Sequence, residues 1–431
     1  MGTAALVASM LWFAVPASAA TGPVSATPAS GTPELASTGT TEQVRQLAQC
    51  GGTMYAVGTF TSISQKGTTY TRDNVFSFSA TKPYTVSSWN PGTDGIVNSI
   101  AFSPDCSTAY LGGQFGTVDG TAAKNIAAVS TSTGAVITSF GHNANGQVNT
   151  LLYYNGHLLT GGYFKSINGS STNAYMASLN PTTGKDDGFI HLSISGNYQF
   201  PGVGSNPTRV FNQQLSNGGT LDLVEGDFTS VGGQARQQIF MLNLSGPTAT
   251  VTPWTSTEFN GDCNYNEAFY VQAASWSPTD STVYIATTGY KPNGSPAGAT
   301  PRTGLCDVAA AFPATQANVS HLWINYTGCD SMFSTAADAS TAYFGGHERW
   351  SSNPDDCDAK GPGAIDAPGM EGLSPTTGAL TFNPTRARGI GADDMLLTSA
   401  GLWIASDNLD GSAQCGGVGG HAGICLLPYG G

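Results

Sequence analysis

Short runs in which apolar and polar residues alternate recur along the whole chain, and Gly, Asn, Asp or Pro closes most of them. Alternation with period two marks strands that send every second side chain to a core, and the breaks mark turns. Residues 97–140 predict four strands in this way, Val97 to Phe102, Ala109 to Phe115, Asn125 to Ser130 and Val136 to Phe140. Their turns fall at Ser103-Pro-Asp105 and Ser132-Thr-Gly134, and β-branched and aromatic residues dominate between them.

The second strand of this unit carries a phrase that returns. It ends at Phe60, Phe115, Phe164 and Phe228 in Tyr-Ala-Val-Gly-Thr-Phe, Tyr-Leu-Gly-Gly-Gln-Phe, Leu-Thr-Gly-Gly-Tyr-Phe and Leu-Val-Glu-Gly-Asp-Phe. Fainter copies stand at Tyr284-Ile-Ala-Thr287, Tyr343-Phe-Gly-Gly346 and Trp403-Ile-Ala-Ser406. Aligned on Gly58, Gly113, Gly162, Gly226, Thr287, Gly346 and Ser406, the steps are 55, 49, 64, 61, 59 and 60 residues. Units of this length with several short strands predict an all-β fold, a seven-bladed β-propeller of four-stranded antiparallel blades over residues 44–431. The phenylalanines are expected between blades, and the Gly positions where a neighbouring backbone or ring comes close. The last unit lacks a fourth strand after Leu426-Leu-Pro-Tyr429. A spare strand within residues 21–43, between Pro23 and Thr38, is expected to supply it and close the ring.

Charge narrows the partners. Only 10% of the 431 residues are charged and the net charge is −13, which excludes nucleic acid and anionic membrane as main partners. Residues 1–20 read as a signal peptide, with an apolar run from Ala4 to Val15 and small residues in Pro16-Ala-Ser-Ala-Ala20, although no Lys or Arg precedes the run. No second apolar run reaches the roughly 20 residues of a membrane span. The expected location is extracellular, and eight cysteines without a Cys-x-x-Cys pair suit disulfides. Repeat position suggests Cys50–Cys106, Cys263–Cys306 and Cys329–Cys357, leaving Cys415–Cys425, one choice among 105.

The connections between second and third strands are short in the second to fourth units (Thr117 to Ala123, Ser166 to Thr172, Ser230 to Arg236) and long in the last three (Tyr290 to Gly304, Glu348 to Pro362, Asn408 to His421). Binding functions concentrate on such loops. One long loop opens with His347-Glu348-Arg349-Trp350 and runs into Asp355-Asp356-Cys-Asp358. A Trp beside charged groups suits a pyranose, whose apolar face stacks while its hydroxyls are bonded. The alternative is an Arg–carboxylate loop paired with itself over a packed Trp350. Asp407 and Asp410 offer oxygens for Ca²⁺ without the full calcium loop. Glu348, Asp366, Glu371, Asp393 and Asp394 are carboxylates available for glycoside hydrolysis, but no spacing selects a pair. Trp89, Trp254 and Trp323 recur near the fourth strand, where packing is the expected role.

Tyr110-Leu-Gly-Gly-Gln-Phe115, Val129-Ser-Thr-Ser-Thr-Gly134 and Asn180-Pro-Thr-Thr-Gly184 resemble the secreted bacterial β-propeller repeat family. The likeness runs over residues 44–431 and is strongest in the first four units. It implies a carbohydrate-binding or adhesion module, similar to the lectin subunits of umbrella-type antibacterial toxin assemblies, with a cell-surface glycopolymer and proteins of a secreted assembly as partners. The expectation is a non-catalytic, lectin-like protein. The alternatives are a glycoside-active enzyme, whose mark is two carboxylates over a pocket, and a pure assembly scaffold.

Overall fold

The computed structural model describes residues 23–197, 207–261, 263, 269–289, 304–354, 356–384, 386, 389, 391–409 and 415–430, with the backbone of 199–200 and 204–205. The expected signal peptide lies outside the described residues, as do Asp355, Asp410 and nearly all of the connection from Tyr290. Among the described residues the chain is all-β, with one 3₁₀ turn at Thr257–Asn260. Every strand pair in its sheets is antiparallel, and no sheet closes on itself.

Seven sheets of three or four strands carry the fold. The first joins Gln43–Cys50, Thr53–Thr59 and Val75–Ser79 in sequence order, and the others repeat that order. Their first strands are Ile96–Phe102, Val148–Tyr154, Arg209–Leu215, Val271–Trp276, Met332–Ala337 and Asp394–Thr398. Each first strand packs beside the next, and Asp394–Thr398 packs beside Gln43–Cys50, so the circuit closes around an axis that the first strands face.

Strand pleating explains why the second strands are buried on both faces. Met54 and Ala56 enter the core shared with the last sheet, whereas Tyr55 and Val57 enter the core shared with the second. Seven such cores lie between consecutive sheets. Phe60, Phe115, Phe164 and Phe228 are all within them and buried, as the repeat predicts.

The outer edge differs from expectation. Among the described residues a fourth strand of at least two residues occurs in only three of the seven sheets, at Thr250–Val251, Trp323–Tyr326 and Leu380–Phe382. In the first three sheets it shrinks to the single bridges Phe78↔Val86, Val129↔Val136 and Leu179↔Asp186. The predicted strand from Val136 to Phe140 is thus one bridge, because the chain turns inward and Phe140 is buried in the next core. Short outer edges also deny other chains a pairing template. Connections expected as plain loops are small hairpins, such as Thr117–Val118 with Thr121–Ala122 and Ser230–Val231 with Gln234–Ala235.

The N-terminal segment stitches the seam. Val24 bridges Tyr429, and the amides of Ser25 and Ala29 donate to the carbonyls of Pro428 (2.7 Å) and Leu426 (2.8 Å). The chain then crosses to the hairpin of Ser62–Gln65 and Thr68–Thr71 beyond the first sheet, where Glu34–Leu35 pairs with Ser64 and Ile63. Disulfides join Cys50 to Cys106, Cys263 to Cys306, Cys329 to Cys357 and Cys415 to Cys425.

Candidate functional site

Six of the seven first strands carry a register shift near their beginning. It falls between Val44 and Gln46, Val97 and Ser99, Val148 and Thr150, Val210 and Asn212, Val271 and Ala273, and Met332 and Ser334. The extra residues are Arg45, Asn98, Asn149, Phe211, Gln272 and Phe333. A bulge redirects the side chain it carries. All six line one axial cavity of about 380 Å³, and the unbulged seventh sheet contributes Asp393 and Asp394. The cavity therefore lies at the end of the ring where the chain enters each first strand.

These bulges give the recurrent glycine its cause. A Cβ on Gly58, Gly113, Gly162, Gly226 or Gly346 would collide with the carbonyl oxygen of Gln43, Ile96, Gln147, Arg209 or Ser331 in the bulged strand opposite. In the fifth sheet Thr287 takes the place, and its hydroxyl donates to the Leu305 carbonyl at 2.6 Å and accepts the Val308 amide at 3.0 Å.

The cavity has two unlike walls. On one, Phe211 and Tyr270 meet edge to face with centroids 5.2 Å apart, and the Arg209 guanidinium lies 4.7 Å from the Phe211 centroid. Phe333 continues this wall and is met by His347 at 4.9 Å. On the other, Asn98 and Asn149 donate to the carbonyls of Val148 (3.1 Å) and Val210 (2.7 Å), each in the following sheet. Arg45 reaches Asn98 Oδ1 at 3.5 Å, and Asp394 accepts the Leu47 amide at 2.9 Å. Burial pushes the Asp393 carboxyl up to about 7; Arg45 opposes the shift, while Asp394 and Asp407 add to it. Burial likewise pushes Asp394 up to about 6, against the amides of Leu47 and Met395.

The residues singled out in the sequence are not gathered into one site. Of the His347–Trp350 phrase only His347 reaches the cavity wall, where its Nδ1 lies 2.5 Å from the Gly389 carbonyl oxygen. Glu348 is fully buried, its carboxyl pushed well up by desolvation and then by Glu371. Arg349 grips both oxygens of Asp330 at 2.7 and 2.9 Å, adds Asp358 at 2.9 Å, and covers the Trp350 ring at 4.3 Å. That is the self-paired arrangement, and it occupies the ring expected to stack a sugar. Trp350 and Asp356 are half-buried, and Trp350 pairs with Asp366 in a hairpin. Asp366 holds Lys360 at 2.9 Å, and Glu371 is buried and pushed up to about 7. Asp407 is fully buried. No group of three or more His, Cys, Asp and Glu fit to hold a metal occurs among the described residues.

Arg45 and the other five bulge residues were not singled out in the sequence. Their signal was the pair Val44-Arg45, Val97-Asn98, Val148-Asn149, Val210-Phe211, Val271-Gln272 and Met332-Phe333, an aliphatic position followed by a variable one in successive repeats.

No protein-family model matches the chain, and no curated protein matches it. Among solved structures it is similar to the structure of U3-55K, with a TM-score of 0.51 and 9% identity, covering 90% of this chain and 96% of that one. At that identity the likeness concerns the fold alone. No helix among the described residues is long and apolar enough to cross a membrane.

Proposed function

We propose that the seven sheets are the blades of a seven-bladed β-propeller, exported from the cell, which works as a non-catalytic, lectin-like module that admits a saccharide unit to its axial cavity. The observation that carries the reading is the set of bulges. They aim Arg45, Asn98, Asn149, Phe211, Gln272 and Phe333 into one space, although none of these directions is needed to pack a core. A wall of Phe211, Tyr270 and Phe333 facing amides and carboxyls suits a pyranose, which has an apolar face and a rim of hydroxyls. The volume of about 380 Å³ lies within the range of small-ligand sites, roughly 300–1,000 Å³. Four disulfides with no free cysteine among the described residues support export.

A glycan array followed by calorimetric titration tests this. The expected result is binding that Phe211→Ala and Phe333→Ala each weaken about tenfold or more, while Trp350→Ala leaves it unchanged. An array without binding, or a loss confined to Trp350→Ala, overturns it.

Asp393 and Asp394 favour a second reading, a glycoside-active enzyme, because carboxyl groups held near neutrality suit general acid catalysis. Hydrolysis of aryl glycosides that disappears in both Asp393→Asn and Asp394→Asn would replace recognition by catalysis.

A further inference from the structure

The chain has eight arginines, six of them among the described residues. Four hold the fold together. Arg72 donates to the carbonyls of Thr71 and Ser87, and Arg236 to Gln234 and the carbonyls of Ala235 and Thr252. Arg349 is taken by Asp330 and Asp358, and Arg386 by Gly391 and Ser406. Arg45 and Arg209 are different. Both line the axial cavity; neither forms a salt bridge among the described residues, and the Nε of each is buried without a hydrogen-bond partner, as it is also in Arg72 and Arg236. Arg45 stands on the first sheet and Arg209 on the fourth, so the two guanidiniums border the space from separate sectors of the ring. In a chain of net charge −13, two cations that line one cavity and form no salt bridge among the described residues are placed for an anion.

Resting on the saccharide reading above, we infer that the cavity selects an anionic saccharide, a pyranose bearing a carboxylate, with Arg45 and Arg209 receiving the carboxylate and Phe211 and Tyr270 the ring face. A guanidinium presents paired N–H groups that match a carboxylate, and a charge-assisted bond in a half-enclosed site is stronger than one in water. The carboxyls bordering the space are Asp393 and Asp394, with Asp407 behind them, and Asp227 stands opposite Arg209 across the strand pair. His347 borders Phe333. At alkaline pH these carboxylates compete with the ligand for the guanidiniums. Burial has pushed Asp393 and Asp227 up to about 7 and Asp394 to about 6. As pH falls through that window they take up protons while the sugar carboxylate stays ionised, so the anion gains affinity.

The test is a titration with oligogalacturonate and with its methyl ester, the same sugar without the charge, at pH 5.5 and pH 8. The free acid is expected to bind about tenfold or more tighter than the ester, with the preference larger at pH 5.5. Arg45→Gln and Arg209→Gln are each expected to reduce it and the double variant to abolish it, while thermal unfolding confirms that the variants fold. Equal binding of acid and ester, or a preference that survives the double variant, overturns the inference and leaves saccharide recognition standing. Absence of binding by both probes and by every neutral glycan overturns the two together.

Discussion

The indole N–H of Trp254, at the outer edge of the fourth sheet, donates to the carbonyl oxygen of Pro313 in the fifth at 2.9 Å. Trp89 makes the same bond to Ser130 and Trp323 to Pro375, each at 2.9 Å and each into the following sheet. The ring of Trp254 fills the core between its two sheets, and its polar edge ties them together.

Trp254→Ala should therefore cost about 3–5 kcal/mol, because a large buried ring is lost and the cavity relaxes only in part. Trp254→Phe keeps most of the apolar contact and leaves the Pro313 carbonyl without its donor, costing roughly 1–3 kcal/mol. Chemical denaturation of the three proteins separates packing from the hydrogen bond.

Gly162 faces the bulge at Asn149, and a Cβ there would strike the carbonyl oxygen of Gln147. Gly162→Ala is expected to cost about 1–3 kcal/mol and to weaken ligand binding by displacing Asn149. Gly52, where an added Cβ would meet nothing within 4 Å, is the control, and Gly52→Ala should stay within about 0.5 kcal/mol. Equal effects at the two positions would contradict this account of the repeat.

At the seam, Val24, Ala29 and Leu35 are buried against the last and first sheets. Removing residues 23–40 takes away that apolar contact and opens the edge of Ile424–Pro428. The loss is expected to be on the order of 3–5 kcal/mol, with proteolysis beginning in the last sheet. Unchanged melting and cleavage would contradict it.

Glu371 is fully buried, and burial pushes its carboxyl up to about 7. The folded state thus holds a proton that the unfolded state releases near pH 4. Stability from this group is present at acid pH and is lost as pH rises through about 7. Glu371→Gln should raise the melting temperature at pH 8 and change it little at pH 5; the opposite order would show that the carboxylate is stabilised by its surroundings.

Strand phrases were legible because the first four repeats spell the same packing problem: two faces, two cores, a glycine and a buried phenylalanine such as Phe164. The pairing of Cys50 with Cys106 followed from their equal places in neighbouring repeats. The cavity was not legible in that way. It takes only a few residues from each repeat, and Arg45, Asn98 and Phe211 share no chemical type, so no local motif forms. The dense phrase His347-Glu-Arg-Trp350 is not gathered into the cavity for a related reason. Extended chain sends neighbours apart, and here it sends His347 against Phe333 of the cavity wall, Glu348 inward and Arg349 to Asp330.

The bulges also separate two duties that most binding proteins combine. Backbone geometry, with its glycine opposite, sets where residues 45, 98, 149, 211, 272 and 333 point, and no core depends on what they are. Phe211, Gln272 and Phe333 are exchangeable letters on a fixed type wheel. A library varied at 211, 272 and 333, with Arg45, Asn98 and Asn149 kept for their bonds to the following sheets, should rewrite what the ring reads and leave the ring itself unaltered.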